Sequence, residues 1–335
     1  MVKSLQKSAT PLLRMGHVMA ITTPLREAGA LIDRHLRSQK LPVLCNDPDL
    51  YVPLKNAWSF FAHLARHEDP MIGWHAGAHA GDRSLGRAIT SRLLTAPTLL
   101  VALRRFVHYS SAEASHIMLG IHERREDILF CTRYPGRQGA AGYHVAQAYQ
   151  LEVILQLIRR FLGRHWMPDE IGIEHHCSPD AASEQFPGAR ILTGQPAGYI
   201  AVPRTCLGSA AIKQGSMVDP LLETFLTTNF GFKETLRALL RSYLPDGYPS
   251  AQFSAELMDV SERTLARRLA ACGLTYGALI DEVRFEEAKR QLREPTARIG
   301  DVAMAVGFTD QGNFTRMFRR VGGLTPREYR RAALH

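Results

Sequence analysis

The sequence predicts a multidomain chain, with an α+β domain over residues 1–244 followed by an all-α domain over residues 250–335. Two observations favour this division. The segment LPDGYPS, residues 244–250, places two prolines and a glycine between two helical patterns, which is typical of a linker. Strand-like alternation occurs before this segment, whereas the residues after it carry apolar stripes of helical period.

The first domain is expected to begin with three helices. Thr23-Pro24 is expected to start the first, residues 54–65 predict the second, and residues 97–110 predict the third. The side chains expected to face the core from these helices are Leu25, Leu31, Ile32, Leu36, Trp58, Phe61, Leu64, Ala65, Leu100, Leu103 and Val107.

A region with strands is expected to follow. HIMLGIH, residues 116–122, alternates strictly, and residues 128–134 follow it after a charged turn, so the two runs predict a β-hairpin. A long helix is expected over residues 142–161. The rest of the domain is expected to hold three more strands and closing helical segments, over residues 170–175, 189–192, 199–202 and 220–243.

The clearest pattern of the second domain lies in residues 307–331, GFTDQGNFTRMFRRVGGLTPREYRR. The turn Gly307-Phe308-Thr309 precedes a helix expected over residues 310–321. On that helix a buried stripe is predicted by the spacing of Phe314, Met317 and Phe318. The other faces carry amides, a hydroxyl and guanidiniums, from Gln311, Asn313, Thr315, Arg316, Arg319 and Arg320. Gly322-Gly323 is expected to end the helix, and Thr325-Pro326 to begin the last one.

The residues just before this helix decide how it is interpreted, because a charged helix face alone is usually only a solvated face. A helix expected over residues 298–305 carries an apolar stripe of Ile299, Val302, Ala303 and Val306. A helix, a short turn with Gly307 and a polar basic helix form a helix-turn-helix arrangement. The exposed groups of its second helix are those that read base edges and contact phosphates in DNA.

The same arrangement is predicted a second time, upstream. A short helix over residues 254–258 is followed by the turn Asp259-Val260, where Asp tolerates a left-handed conformation better than most residues. Ser261 is a natural N-cap for a helix over residues 262–271, which Gly273 ends. Its inward side chains are Leu265 and Leu269, and those left available to DNA are Arg263, Thr264, Arg267 and Arg268.

One continuous helix, residues 276–292, is expected to join the two units. Its apolar side is formed by Leu279, Ile280, Val283, Phe285, Ala288 and Leu292. At about 1.5 Å per residue it is about 25 Å long. With its flanking turns it can place two recognition helices roughly 34 Å apart, one turn of B-DNA. The sequence therefore predicts two readers on successive major-groove faces.

These motifs resemble the DNA-binding domain of the AraC family of bacterial transcription regulators. The resemblance covers residues 250–335 and includes SERTLARRLAACGLTY, DEVRFEEAKRQL, IGDVAMAVGF and the final F-T-R-M-F and G-L-T-P-R-E-Y-R. It implies that the first recognition helix reads DNA through Arg263, Ala266 and Arg267, and the second through Gln311, Gly312, Thr315 and Arg316. Because Ala266 and Gly312 are small, more weight falls on Arg267 and Arg316. The full set expected to contact DNA is Arg263, Thr264, Arg267, Arg268, Gln311, Asn313, Thr315, Arg316 and Arg320.

The first domain resembles the arabinose-binding-type N-terminal domain of one branch of that family. This resemblance implies a domain that receives a small organic effector and forms a homodimer, in a regulator of promoter or operator DNA. Activation is the preferred mode of action, with RNA polymerase as a further partner. Two alternatives stay open: an N-terminal domain that only dimerises, without a ligand, and an enzyme akin to DNA-alkyl-transfer proteins. The second needs an activated cysteine in a zinc or proline-cysteine context, which the sequence lacks, so no catalytic residue is expected.

Composition agrees with a DNA-binding protein but does not by itself predict one. The net charge is +9, of which residues 250–335, with 14 basic and 11 acidic residues, carry only +3. The arginines fall on the recognition helices, so their placement supports DNA binding more than bulk charge does. Five scattered cysteines without a CxxC pair, no signal peptide and no apolar run of membrane-spanning length lead us to expect a cytoplasmic protein with reduced thiols and no membrane contact.

The identity of the effector cannot be read from the sequence, and no cofactor or metal is expected. Several aromatic residues could line a pocket but are more often ordinary core: Trp58, Phe61, Tyr109, Tyr134 and Tyr143. Arg133 could pair with an acidic effector, although a surface strand residue is the simpler interpretation. The run Glu174-His175-His176-Cys177 contains metal-ligand types, but neighbours on a strand point to opposite faces and do not close on one ion.

Overall fold

The computed structural model describes residues 10–175, 183, 185–212 and 231–333. The chain divides into two compact units. Unit 1 comprises Met1–Thr10, Lys40–Pro53 and Phe230–His335, and unit 2 comprises Pro11–Gln39 and Leu54–Asn229. The structure thus groups a short stretch of the N-terminal half, residues 40–53, with the C-terminal helices.

The elements are numbered here in chain order. Before residue 212 they are β1 (Leu12–Arg14), α1 (Met15–Glu27), α2 (Asp33–Ser38), β2 (Tyr51–Pro53), α3 (Leu54–His67), α4 (Ile72–Ser84), α5 (Arg87–Leu94), α6 (Leu99–Glu113), β3 (Met118–Glu123), β4 (Asp127–Arg133), α7 (Tyr143–Leu162), β5 (Glu170–Gly172), β6 (Arg190–Leu192) and β7 (Gly198–Pro203). After residue 231 they are α8 (Phe232–Tyr243), α9 (Ala251–Leu257), α10 (Glu262–Ala270), α11 (Tyr276–Leu292), α12 (Ile299–Ala305), α13 (Gln311–Gly322) and α14 (Pro326–Ala333). None of the described helices is long and apolar enough to cross a membrane.

The predicted fold class is confirmed. Unit 2 is α+β, and its predicted hairpin is formed by β3 and β4, with Ile121 paired to Phe130. The sheet has five strands in the order β3-β4-β7-β5-β6, antiparallel except for the parallel pair β5 and β6. The C-terminal helices of unit 1 form two helix-turn-helix units around α11, as the sequence predicts. Part of the closing segment expected over 220–243 lies outside the described residues.

The prediction for the first helix is wrong. α1 begins at Met15 rather than at Thr23, and Pro24 lies inside it, near its C-terminal end. Leu31, expected in the core, has 89% of its surface exposed, whereas Ile32 and Leu36 are buried on a separate short helix, α2. Ala65, expected to be buried, is only half-buried. A Thr-Pro pair marks a helix start only where the chain before it is not already helical.

Two helices of unit 2, α4 and α5, have no counterpart in the prediction. α4 is rich in glycine, which weakens a helical pattern because glycine is unfavourable in helix interiors. Its glycines permit a close approach to α7. A Cβ on Gly73 would lie 2.4 Å from the carbonyl oxygen of Val145, and one on Gly77 would lie 2.6 Å from the Cβ of Glu152. Tertiary packing therefore stabilises a helix that propensity does not favour.

The segment 40–53 is tied to the C-terminal helices of unit 1 by hydrogen bonds. The carboxylate of Asp246 accepts from the backbone N–H groups of Val43 and Leu44, both at 2.7 Å. The hydroxyl of Ser242 donates to the carbonyl of Tyr51 at 2.6 Å, and Tyr243 donates to the carbonyl of Lys40 at 2.7 Å. The predicted linker, residues 244–250, lies within this packed region. The bounds 1–244 and 250–335 remain a prediction about which fragments fold independently.

Candidate nucleic-acid interface

The turn of the first helix-turn-helix unit has the local structure that its sequence predicts. Asp259 adopts a left-handed conformation, with φ of 53°. Ser261 caps α10: its hydroxyl oxygen accepts from the backbone N–H of Thr264 at 3.2 Å. Leu265 and Leu269 form the buried side of α10, and Gly273, with φ of 70°, follows the end of the helix. These contacts fix which face of α10 points away from the core.

The predicted DNA-contacting residues of α10 differ in their surroundings. Arg263 and Arg267 are exposed. The side chain of Thr264 is half-buried, and its hydroxyl lies 2.9 Å from that of Ser261. The guanidinium carbon of Arg268 lies 4.9 Å from the centre of the Phe232 ring of α8, a cation–π distance. Among the predicted DNA-contacting residues of α10, Arg263 and Arg267 are therefore the two arginines that are exposed to solvent.

The turn of the second helix-turn-helix unit is held by a buried arginine of α11. Gly307 has φ of 79°, a conformation that favours glycine, and an added Cβ would lie 3.1 Å from the carbonyl oxygen of Leu244. Arg284, 6% exposed, donates from Nη2 to the carbonyl oxygen of Gly307 at 2.9 Å. This contact orients the turn that leads into α13.

α13 carries the buried stripe that the sequence predicts. Phe314, Met317 and Phe318 are buried in a core that α11 and α12 share. Asp310 caps the helix by accepting from the backbone N–H groups of Gly312 and Asn313, at 3.1 and 2.8 Å. These two hydrogen bonds hold the pKa of Asp310 below its usual value, so the cap is charged at neutral pH.

The polar residues of α13 occupy the opposite face. Gln311, Asn313 and Arg316 are exposed, and the amide oxygen of Asn313 accepts a hydrogen bond from the guanidinium of Arg316. Thr315 is half-buried and donates to the carbonyl of Gln311 at 2.8 Å. Arg320 is exposed but donates to the carboxylate of Asp281 on α11 at 2.6 Å. The structure therefore brings Asn313 and Arg316 together on the exposed side of α13, whereas the side-chain oxygen of Gln311 lies beside Gly300 of α12.

Two charged residues of α11 have a structural role that the sequence did not predict. Arg284 and Glu287, each 6% exposed, lie on the buried side of the helix together with Ile280 and Ala288. Burial alone would raise the pKa of Glu287, but hydrogen bonds from Arg290 and Gln291 and the charge of Arg241 lower it below its usual value. The positions of Arg284 and Glu287, four and seven residues after Ile280, were a signal of burial.

Family comparisons agree with this geometry. A helix-turn-helix domain family matches residues 254–332. A second family, the arabinose-binding domain of AraC transcription regulators, matches residues 29–211, more than half of the chain. The chain belongs to the AraC family. It is therefore a DNA-binding transcription regulator, and α10 and α13 lie within its helix-turn-helix domain.

Curated relatives of this AraC-family chain are transcription regulators too. The chain is 38% identical over 106 residues to the regulator VirS of Mycobacterium tuberculosis, covering 32% of this chain and 31% of VirS. It is 29% identical over 137 residues to the ornithine utilization regulator of Pseudomonas aeruginosa, covering 41% and 40%. The matched regions thus span less than half the length of these relatives. The crystal structure of the regulator CdpR from Pseudomonas aeruginosa aligns with 90% of this chain and 96% of its own, at 22% identity and a TM-score of 0.40.

Two of the cavities among the described residues of unit 2 bear on ligand binding by this AraC-family protein. One, of about 40 Å³, is lined by several of the aromatic residues that the sequence singled out, Trp58, Phe61 and Tyr134. Tyr143 is buried and donates to Glu174, and Tyr109 is half-buried. A volume of about 40 Å³ is far below the roughly 300 Å³ of a typical ligand pocket. These aromatic side chains therefore serve mainly as core.

The remaining candidates for ligand or metal binding are placed as follows. Arg133 is an exposed residue at the end of β4. His175 is half-buried with its ring 5.6 Å from that of His144, whereas His176 and Cys177 lie outside the described residues. Among the described residues no group of three or more histidine, cysteine or acidic side chains is arranged to hold a metal ion.

Proposed function

We propose that the protein is a sequence-specific transcription activator that binds operator DNA through α10 and α13 and responds to a small organic effector. The observation that supports this most is the repetition of one arrangement on either side of α11. Each recognition helix is held by a buried stripe, Leu265 and Leu269 on α10 or Phe314 and Phe318 on α13, and presents an exposed arginine. Two such helices joined by one rigid helix fit successive major grooves.

The proposed contacts divide by how far each side chain is already engaged within the protein. Arg263, Arg267, Gln311 and Arg316 are exposed, and arginine and glutamine are suited to bidentate contacts with guanine and adenine edges. We assign base readout to these residues and support from Asn313, which hydrogen-bonds Arg316. Thr264 and Thr315 are half-buried and are suited to short contacts with the DNA backbone.

Arg268 and Arg320 are assigned a positioning role at the edge of the interface. The guanidinium of Arg268 lies over the ring of Phe232, and that of Arg320 pairs with Asp281. A phosphate contact by either would add to an interaction that the protein already makes. Their replacement should therefore weaken binding to all DNA sequences to a similar extent rather than change base preference.

Unit 2 is proposed to receive the effector and to form the homodimer, and the bound dimer to engage RNA polymerase. A regulator that responds to an effector needs a second site whose ligand is coupled to DNA affinity, and the coupling acts in both directions. A second cavity of unit 2, of about 210 Å³, is smaller than a typical ligand pocket of roughly 300 Å³ but large enough for one small molecule, which supports an effector of modest size. If no small molecule bound unit 2, the protein would instead be a DNA-binding regulator that uses this domain for dimerisation alone.

The experiment combines genomic footprinting with assays on the purified full-length chain. Footprinting identifies the operator, after which operator affinity, the mass in solution by light scattering and transcription by RNA polymerase are measured. We expect protection of two adjacent major grooves for each bound chain, a dimer, and transcription that increases with added protein. Affinity for the operator no greater than for unrelated DNA of equal length would refute sequence-specific binding. Reduced transcription would refute the activator assignment, and a monomeric mass would refute the dimer.

A further inference from the structure

The larger cavity of unit 2 combines an apolar wall with a cationic rim. Its volume is about 210 Å³, and it lies between α5 and the C-terminal half of α7. The wall is aliphatic, formed by Leu85, Leu93, Leu94, Val153 and Leu157. The polar lining residues are Thr90, Gln156, Arg159, Arg160 and Arg164. Among the described residues that line the cavity, three are arginines and none carries a carboxylate.

The three arginines are held to different degrees. Arg159 donates from Nη1 to Glu152 at 3.3 Å and from Nε to the carbonyl of Trp166 at 3.0 Å, so it has a structural role. Arg160 follows it on α7, and its backbone carbonyl accepts from the N–H of Ile212 at 2.9 Å, which fixes the chain at that point. Arg164 lies just beyond the helix end and is exposed. It donates from Nε to His165 at 2.8 Å. The rim of the cavity thus carries the guanidinium groups of Arg160 and Arg164 in addition to that of Arg159.

The geometry points to a small organic acid as the ligand of this cavity, and we propose that class for the effector. Guanidinium groups bind carboxylates through paired, charge-assisted hydrogen bonds, and a half-enclosed apolar wall strengthens them by excluding water. An apolar cavity of about 150 Å³ accommodates benzene, so about 210 Å³ is enough for one ring or a short alkyl chain with a carboxylate. The acid would place its apolar body against Leu93 and Leu157 and its carboxylate at the rim.

The position of the cavity gives it a route to the rest of the domain. Leu85 and Val153 line this cavity and also the small aromatic cavity that contains Trp58 and Tyr134. A ligand pressed against these two side chains would also act on the packing of α3, to which Trp58 belongs. The assignment of the ligand as an effector rests on the proposed function, whereas its binding does not.

The test is isothermal titration calorimetry of the full-length chain with benzoate and hexanoate, and with neutral benzamide as the control ligand. We expect one saturable site per chain for at least one acid, with benzamide at least about tenfold weaker. The double variant Arg160→Gln, Arg164→Gln should weaken the acid by about tenfold or more, whereas Arg66→Gln, an exposed arginine of α3, should leave it unchanged. Leu94→Glu, which places a carboxylate on the half-buried part of the wall, should abolish binding of the acid while the thermal midpoint shifts little.

Several outcomes would overturn the proposal. These are the absence of a saturable site for both acids, equal binding of benzamide, and equal affinity in the double variant and the wild type. Operator affinity is measured in parallel with and without the acid, which separates this proposal from the proposed function. Absence of specific operator binding by the wild type, both with and without the acid, would refute the proposed function alone. An acid that binds the site but changes neither operator affinity nor transcription would overturn the assignment of the cavity as the regulatory site.

Discussion

Arg284 donates a hydrogen bond to the carbonyl oxygen of Gly307 at 2.9 Å. Arg284 belongs to α11, the helix that joins the two helix-turn-helix units, and Gly307 is the turn residue of the second of them. The guanidinium carbon also lies 4.7 Å from the ring centre of Tyr248 and 4.2 Å from that of Phe308. Burial lowers the pKa of Arg284 below its usual value. One buried cation thus joins α11 to the turn that orients α13.

Replacement of Arg284 should destabilise the second helix-turn-helix unit. Arg284→Met keeps much of the apolar volume but leaves the carbonyl of Gly307 without this donor, at a cost of about 1–3 kcal/mol. Hydrogen exchange of the α12 and α13 backbone amides should accelerate by about tenfold or more. The control is Arg293→Met, because Arg293 is exposed at the end of α11 and its loss should cost less than about 0.5 kcal/mol. Equal exchange in the two variants would contradict the role of Arg284.

A buried ion pair in unit 2 should set the acid stability of the domain. Glu113 is 3% exposed, forms an ion pair with Nε of Arg14 at 3.2 Å, and accepts hydrogen bonds from His17 at 3.0 Å and from the N–H of Gly86 at 2.9 Å. Burial would raise the pKa of Glu113, but Arg14, His17 and Gly86 together lower it below its usual value of 4.5. Its contribution to stability is therefore complete above pH 4.5 and is lost as the pH falls through the lower pKa of the folded state.

Glu113→Gln tests this pH dependence. The variant should be destabilised by about 3–5 kcal/mol at neutral pH, because Arg14 is left buried without its carboxylate. Thermal midpoints between neutral and acidic pH should fall less steeply for the variant than for the wild type. Glu126→Gln removes an exposed carboxylate that pairs with Arg125 at 3.5 Å, and should change stability by less than about 1 kcal/mol. Parallel pH profiles for Glu113→Gln and the wild type would be incompatible with this role.

Helix α8 should stabilise the DNA-binding unit. Leu236, Leu239 and Leu240 are buried, and Arg237 and Arg241 pair with Glu282 and Glu287 of α11 at 3.2 and 3.1 Å. Each fully buried leucine contributes about 1.5–3 kcal/mol. A fragment of residues 231–335 should therefore unfold at a higher temperature than one of residues 250–335, measured by circular dichroism.

Point variants of the longer fragment provide the control for that comparison. Leu236→Ser should lower its thermal midpoint, whereas Lys233→Ser, at a half-buried position of the same helix, should lower it less. If the two fragments unfolded at the same temperature, α8 would contribute nothing and residues 250–335 would be the independent domain that the sequence suggests.

Local signals predicted the recognition helices well. Asp259 in a left-handed turn, Ser261 as a cap and the stripe of Phe314 and Phe318 all depend on residues within one or two helical turns of each other. A glycine after a helix or an N-cap serine acts through backbone geometry that few tertiary contacts change. The two helix-turn-helix units could therefore be predicted from the sequence.

Features that depend on residues far apart in the sequence could not be predicted. Asp246 binds the backbone of Val43 and Leu44, some 200 residues away, and no local pattern predicts that pairing. The glycines of α4 are unfavourable in an isolated helix and are explained only by the close approach of α7. Arg284 and Glu287 are absent from the apolar side that the sequence predicts for α11, because charged residues are seldom fully buried. Their hydrogen bonds compensate the cost of burial.

The central claim is that α10 and α13 each read DNA sequence, and binding-site selection from random DNA tests it most directly. The selection compares the full-length wild type with Arg267→Ala, Arg316→Ala and the control Arg293→Ala. We expect each recognition-helix variant to lose base preference in its own block, the two blocks lying about 10 base pairs apart. Each should also lose about 1–3 kcal/mol of specific affinity, with little change in non-specific affinity. Arg293→Ala should select the wild-type sequence. Equal loss of specific and non-specific affinity in both variants, or one shared block of altered preference, would show that the two helices do not each read a separate major groove.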